Sequence, residues 1–219
     1  ARQAEAASRE ILDRLKGYEK GLRGARGAAI AAGWDGLTRE RFRRYAESRD
    51  IDREFPGARG FGIVQRVPRA AEAAWLAMAR DDGQPDFTLR QLAPHEGERW
   101  VIRWIEPQAR NATAVGLDIA SEVHRRAAAR QAMRSGQATL SAPLTLVQAN
   151  ALPRHGLLLM LPIYRDGAPP ADDDGREAAA LGWSYAPLLI DEVLAELLPR
   201  LNAFALDISD AGPVPGTGR

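Results

Sequence analysis

The chain of 219 residues is long enough for one large domain or for two small domains that share a core. Its 30 basic and 29 acidic side chains leave a formal charge of +1, which gives no electrostatic reason to expect a nucleic acid or an anionic membrane as a partner. The absence of cysteine excludes disulfides, thiolate zinc sites and cysteine nucleophiles. No apolar run approaches the roughly 18 residues that span a bilayer, and no signal peptide is visible. We therefore expect a soluble piece of a longer protein.

Small and apolar residues that recur at steps of three and four predict a long first helix. The stripe consists of Ala4, Ala7, Ile11, Leu15, Tyr18, Leu22, Ala25 and Ala29. Four glycines within the helix each weaken it by about 1 kcal/mol relative to alanine, so packing must support it until Gly33 ends it. Two interpretations stay open. The helix lies on its own domain, or it is a stalk that also pairs with a second copy.

The next stretch contains helix, strand and helix in turn. A helix is predicted from Thr38 to the stop at Pro56, followed by a strand over 58–68 that Pro68 ends. A further helix is predicted over 70–83. In this helix we expect three buried side chains, Trp75, Leu76 and Met78.

Two strand patterns and a helix follow. FTLRQL (87–92) and WVIRWIEP (100–107), joined by a PHEGER turn, are typical of an antiparallel hairpin. A helix is then predicted over 121–136, with Asp118 or Ser121 placed to cap its free amides. We expect its inner face to comprise Val123, Ala127, Ala128, Gln131 and Ala132.

The remaining strands are predicted on both sides of a polar loop. A strand over 137–148 is broken at Pro143, and the apolar strand 155–165 should lie centrally in the sheet. The Gly/Pro/Asp-rich stretch 166–180 is interpreted as a loop and as the best candidate for a domain boundary. The predicted elements beyond it are a strand over 181–190, a helix over 190–201 and a strand over 204–210. They indicate a smaller second unit, which either relies on the first helix for support or lacks strands.

The sequence contains no recognisable catalytic pattern. His95, His124 and His155 are scattered without metal-ligand spacing, so each is interpreted as a surface or capping residue. The adjacent Asp172–Asp174 lack the alternate spacing of a calcium loop. Ser141 has no base near it in sequence, and no phosphate-binding loop or nucleophile elbow is present. These observations favour a binding module without metal or cofactor over an enzyme, while a hydrolase would need a His or a carboxylate to converge on Ser141.

Six segments of the chain carry a family resemblance. They are FPGARGFGIVQRVP, FTLRQL, WVIRWIEP, AVGLDIASEVHRRAAARQAMRSGQATLSAPLTLVQ, LLLMLPIYR and GWSYAPLLIDEVL. In this order and spacing, over about 38–210, the set resembles the CHASE domain. That domain is the extracytoplasmic sensor of membrane-bound histidine kinases, nucleotide cyclases and related receptors.

The resemblance implies an α+β fold with a long N-terminal stalk helix followed by two tandem PAS-like antiparallel sheet units. On this basis we expect a stalk over 1–37, a membrane-distal ligand-binding unit over 38–165, and a membrane-proximal unit over 166–219 that is either complete or truncated. The resemblance also implies a homodimer through the N-terminal helix, and flanking transmembrane helices that anchor it in the inner membrane with the domain in the periplasm. The full-length receptor would carry a histidine kinase or a nucleotide or cyclic-dinucleotide cyclase as its output.

The resemblance also suggests where a ligand would bind. In the plant cytokinin receptors of this family an Asp on the pocket helix reads the adenine ring, and Arg125 stands at that position here. An arginine cannot accept the ring hydrogen bonds and suits a carboxylate, sulfonate or phosphate instead. The other candidate ligand-binding residues are Trp104, Ile119, Ser141, Leu144, Val147 and Met160. Arg125 could equally be an exposed helix residue paired with Glu122, and Trp104 could equally be plain core.

We therefore predict an extracytoplasmic sensory domain that binds a small organic ligand, most simply an anion, and signals through a homodimer. The alternative is a protein-interaction or mechanical sensor module with no small-molecule ligand. An outward-pointing Arg125 would favour that alternative.

Overall fold

The computed structural model describes residues 2–146 and 155–195. Within these ranges the helices are α1 Arg2–Ala32, α2 Arg39–Glu47, α3 Ile51–Glu54, α4 Glu72–Asp81, α5 Val123–Ser135, α6 Asp173–Ala179 and α7 Ile190–Leu194. The strands are β1 Phe61–Val67, β2 Arg99–Glu106, β3 Thr139–Leu140, β4 Leu144–Thr145, β5 His155–Tyr164 and β6 Ala180–Leu189. None of the described helices has the length and apolar character needed to cross a membrane.

The strands form one antiparallel sheet in the order β2-β1-β6-β5-β3, with β4 also paired to β5. This confirms the predicted α+β class, with an N-terminal helix and an antiparallel sheet. The boundary predicted after Arg165 falls between β5 and β6, which are hydrogen-bonded neighbours from Gly156–Leu189 to Tyr164–Ala180. Among the described residues, the strands on both sides of this boundary therefore belong to one sheet. The two tandem PAS-like units stay a prediction, because residues 196–219 are outside the described ranges.

Helix α1 packs along one face of the sheet. Its buried residues Tyr18, Leu22, Ala25 and Ala29 belong to one apolar cluster with Phe42 of α2 and with side chains of β1, β5 and β6. The Ser184 hydroxyl on β6 donates to the carbonyl of Leu22 over 3.0 Å. From Tyr18 onward the predicted stripe therefore packs against the sheet and α2 of the same chain. The helix ends at Gly33, whose φ of +72° suits glycine.

Helix α5 covers the opposite face. Its buried residues are Arg125, Ala128, Ala129, Ala132 and Met133, and the predicted Val123 is 58% exposed. The predicted inner face was therefore only partly right. The helix starts at Val123 with Glu122 as its cap, so neither Asp118 nor Ser121 caps it. Its end at Gly136 was predicted correctly.

The predicted hairpin of 87–92 with 100–107 was wrong. Strand β2 pairs with β1, and the segment before it forms only an isolated bridge between Arg90 and Leu117. The backbone N–H of Arg90 donates to Gly116 and its carbonyl accepts from Asp118, both over 2.8 Å. Because these groups are already paired, they cannot form a ladder with β2.

Three smaller corrections concern the helices. The helix predicted from Thr38 to Pro56 divides into α2 and α3, because Thr38 and Asp50 each cap a separate start. Met78 of α4 is 49% exposed and was wrongly expected to be buried. The stretch expected to be a loop includes α6, which Asp172 caps by accepting a hydrogen bond from Gly175.

A β-bulge in β2 decides which face its aromatic residues cover. Ile63 stands opposite Trp104, but the next residue, Val64, stands opposite Ile102. The extra residue, Arg103, shifts the alternation of side chains. Trp100 and Ile102 therefore face α5, whereas Trp104 faces α1 and α2.

Candidate functional site

The face of the sheet below α5 brings together four of the seven predicted site residues. Ile119, Leu144 and Met160 belong to its apolar cluster and are at most 7% exposed. Arg125 enters this layer from α5. Leu146, which was not predicted, belongs to the same cluster.

Arg125 is a buried cation, with 4% of its surface exposed. Its Nη2 donates to the carbonyl oxygen of Thr145 over 2.8 Å, and its Nη1 lies 3.6 Å from a carboxylate oxygen of Glu122. Burial lowers the pKa of Arg125, and the negative charge of Glu122 opposes this shift. The interpretation as an exposed arginine is therefore wrong, although the expected pairing with Glu122 is present.

Tyr185 adds a second polar group to this face, and sequence reasoning missed it. It is fully buried on β6, directly opposite Met160 in the sheet. Within the described part of the chain its hydroxyl has no hydrogen-bond partner. Burial raises the pKa of Tyr185 well above its ordinary value, while the positive charge of Arg125 acts in the opposite direction. The hydroxyl therefore keeps its proton at neutral pH and can donate a hydrogen bond.

The start of α5 is positioned by a network around Asp118. This buried carboxylate accepts hydrogen bonds from the backbone N–H of Trp100 (2.9 Å) and of Ala120 (3.0 Å). Its other oxygen lies 2.7 Å from Nε2 of His95 and 3.4 Å from Nη1 of Arg99. His95 is thus part of a structural network that holds the turn leading into the helix.

Two aromatic side chains attach the rest of α5 to the sheet. The indole N–H of Trp183 donates to the carbonyl of Ala129 over 2.9 Å, and the hydroxyl of Tyr164 donates to the carbonyl of Met133 over 2.6 Å. Both side chains are buried. They fix the height of the helix above the strands, and with it the position of Arg125.

The remaining predicted site residues lie elsewhere. Because of the bulge, Trp104 is on the other face, where its indole N–H donates to Asp82 over 3.1 Å and its ring stacks on Phe42. Ser141 accepts a hydrogen bond from the backbone of Leu158 over 2.9 Å and donates to Ala142 over 2.8 Å. Val147 lies outside the described residues.

Ser141 instead borders an apolar cavity of about 320 Å³ between α1, α7 and the sheet. The cavity walls include Ile11 and Leu15 of α1 and Val193 and Leu194 of α7. A second, open groove of about 530 Å³ runs beside the segment 83–90 and is more polar, with Arg39 and Gln108 among its walls. Among the described residues no group of His, Asp and Glu side chains could hold a metal ion.

Comparison with known proteins identifies the family. The family model of the CHASE domain matches residues 35–217. The chain belongs to the CHASE domain family. It is therefore a sensor domain, extracytoplasmic as such domains are, and the predicted family membership is confirmed. None of the curated proteins compared with it matches.

A solved structure supports the fold of this CHASE domain. The chain is similar to an extracellular ligand binding receptor from Desulfohalobium retbaense DSM5692, with 15% identity and a TM-score of 0.50. The match covers 90% of this chain and 26% of that one. At this identity the likeness concerns the fold alone. The CHASE domain thus presents, on one face of its sheet, a buried arginine and a buried tyrosine hydroxyl among apolar side chains.

Proposed function

We propose that this CHASE domain is a periplasmic sensor that binds a small organic anion at Arg125. The observation that supports it is the burial of this cation on the apolar face below α5. An arginine in such surroundings is stabilised by an acceptor with a negative charge. Among the described residues, its partners are a neutral carbonyl at 2.8 Å and a carboxylate 3.6 Å away.

The ligand would compete with the protein's own acceptor. The carbonyl of Thr145 holds Nη2 of Arg125, and a ligand carboxylate, sulfonate or phosphate would replace it with a charged partner. The bond to the carbonyl is already charge-assisted by the guanidinium. An anion adds the attraction between opposite charges and can accept two parallel N–H bonds, so the exchange favours an anion. Ile119, Leu144 and Met160 pack in the apolar cluster on this face, so they would contact an apolar ligand body.

Signalling from this site requires a second conformation. We propose that the domain works as a homodimer through α1, anchored in the inner membrane by flanking transmembrane helices, with a histidine kinase or cyclase as its output. The ligand must favour one dimer geometry over the other, because equal affinity for both would shift nothing. The domain itself would carry no catalytic step.

Ligand binding is tested by thermal shift with small carboxylates, sulfonates, phosphates, amino acids and adenine derivatives. A ligand at a hundred times its Kd stabilises the folded state by about 2.7 kcal/mol, a shift of a few degrees. Arg125→Gln should abolish the response to the anions. Arg130→Gln, an exposed arginine on the same helix, is the matched control and should retain it. If no anion shifts the wild-type Tm, the proposal that the domain senses an organic anion is wrong. The alternative of a protein-interaction module is then favoured.

Dimerisation is tested separately. Leu12 of α1 is 54% exposed, so Leu12→Glu should weaken self-association without affecting the core. Analytical ultracentrifugation of both proteins measures this. Identical sedimentation of wild type and variant as monomers at high concentration would argue against a dimer held by this helix alone.

A further inference from the structure

The hydroxyl of Tyr185 is unusual for a buried tyrosine. Buried polar groups in folded proteins are nearly always hydrogen-bonded, and a tyrosine hydroxyl normally finds a partner. Tyr185 is 0% exposed, yet no described group pairs with its hydroxyl. Such an exception points to a partner other than the described residues.

The position of the ring is strictly defined. Tyr185 stands opposite Gly62 on β1 and Met160 on β5, in the middle of the sheet. A Cβ atom at Gly62 would come within 2.4 Å of Cε1 of Tyr185, so glycine makes room for the ring there. The side chain is therefore held in place by its neighbours, and the hydroxyl cannot turn to water.

Arg125 and Tyr185 both offer hydrogen-bond donors. The described acceptors, the Thr145 carbonyl and the Glu122 carboxylate, lie beside Arg125. The guanidinium of Arg125 has N–H groups and no acceptor, and its positive charge acts on the Tyr185 hydroxyl. The hydroxyl stays protonated and so offers a further donor. A group that only accepts hydrogen bonds satisfies both, and an ionised carboxylate is such a group.

We propose that Tyr185 is a second ligand-recognition residue, whose hydroxyl donates a hydrogen bond to the carboxylate of a small organic acid bound at Arg125. This inference rests on the proposed function and narrows the ligand to carboxylic acids with an apolar body. The body packs against Ile119, Leu144, Leu146 and Met160, which belong to the same apolar cluster as Tyr185. A primary amide of the same acid replaces one carboxylate oxygen with an NH2 group, which is a donor and cannot accept from Arg125 or Tyr185. Such amides therefore bind more weakly than the acids.

The test compares two tyrosines of the same sheet face. Tyr185→Phe removes the unpartnered hydroxyl, and Tyr164→Phe removes one that donates to Met133 over 2.6 Å. Acetate, butyrate, isovalerate, benzoate and phenylacetate, each beside its primary amide, are the probes. Thermal shift at millimolar concentration identifies the acids that bind, and calorimetry measures their Kd for wild type and for both variants.

The two variants should behave in opposite ways. Tyr185→Phe should weaken acid binding by about tenfold, the effect of one hydrogen bond to a charged group, and should leave the ligand-free Tm unchanged or higher. Tyr164→Phe should lower the ligand-free Tm and leave the Kd unchanged. If acids bind Tyr185→Phe as tightly as wild type, the role of Tyr185 is refuted while the proposed function stands. If no carboxylic acid binds the wild type but a sulfonate or phosphate does, this inference is refuted and the proposed function stands. If none of these anions binds, both are refuted.

Discussion

The indole nitrogen of Trp183 donates a hydrogen bond of 2.9 Å to the carbonyl oxygen of Ala129. This contact joins strand β6 to the middle of α5, and the whole side chain is buried. Replacing Trp183 by Phe removes the donor and leaves a cavity, so we expect a loss of about 2–3 kcal/mol in the free energy of unfolding. Urea unfolding measures it. Trp34→Phe, at a half-buried tryptophan, is the control and should cost less; equal losses would contradict the structural role of Trp183.

Asp82 connects three parts of the other sheet face. Its carboxylate accepts from the backbone N–H of Arg39 (3.0 Å), from Nη2 of Arg103 (3.2 Å) and from the indole of Trp104 (3.1 Å). Burial lowers the pKa of Arg103, and the charge of Asp82 counteracts this. Asp82→Asn would leave the buried cation without a counter-ion.

We expect this substitution to lower the free energy of unfolding by about 3 kcal/mol, as for other broken buried ion pairs. Chemical denaturation checks the value. The exposed neighbour Asp81→Asn should change stability by less than about 0.5 kcal/mol. The Arg103 guanidinium also lies over the rings of Trp75 (5.2 Å) and Trp104 (4.8 Å). A loss below that limit for Asp82→Asn would mean that these two ring contacts suffice to hold it.

The glycines of α1 should respond differently to alanine. A Cβ at Gly27 would meet no atom within 4 Å, so Gly27→Ala should stabilise the domain by about 1 kcal/mol through helix propensity. A Cβ at Gly21 would come within 2.4 Å of Cζ of Phe61, a buried ring, so Gly21→Ala should destabilise it by about 1–3 kcal/mol. Thermal unfolding of the two variants measures both changes in stability. If both substitutions stabilised the domain, α1 would not pack on the sheet as described.

Glu106 should make stability depend on pH. Burial raises the pKa of its carboxyl, and the hydrogen bond from the backbone of Gln108 opposes the shift. The folded state then holds the proton more tightly than the unfolded state. The stability that this group contributes is present below the unfolded-state pKa and is lost as the pH rises through the raised folded-state pKa.

Glu106→Gln keeps an oxygen that can accept from Gln108 and removes the charge. We therefore expect the Tm of the variant to exceed that of wild type at about pH 7, with the difference shrinking toward about pH 4, where the wild-type carboxyl is protonated. Thermal unfolding across this range checks the sign. A Tm difference between variant and wild type that grows as the pH falls would show that the surroundings stabilise the ionised Glu106 carboxylate.

Much of the fold was predictable because the signals are local. Gly33 and Gly136 end α1 and α5, and Pro68 follows the last residue of β1, as their backbone geometry requires. The candidate position of Arg125 followed from the family resemblance. Its burial could not be inferred, because the inner face of a helix rich in alanine has little contrast with its outer face.

The sequence by itself determined the class of the fold, the family and where most elements begin and end, since caps, glycines and hydrophobic periods act within a few residues. Only the tertiary structure decided which strands pair and which way side chains face. The bulge at Arg103 turned Trp104 to the far side, and β6 brought Tyr185 next to Met160 from a distant part of the chain. Such contacts depend on residues far apart in sequence, and no local pattern specifies them.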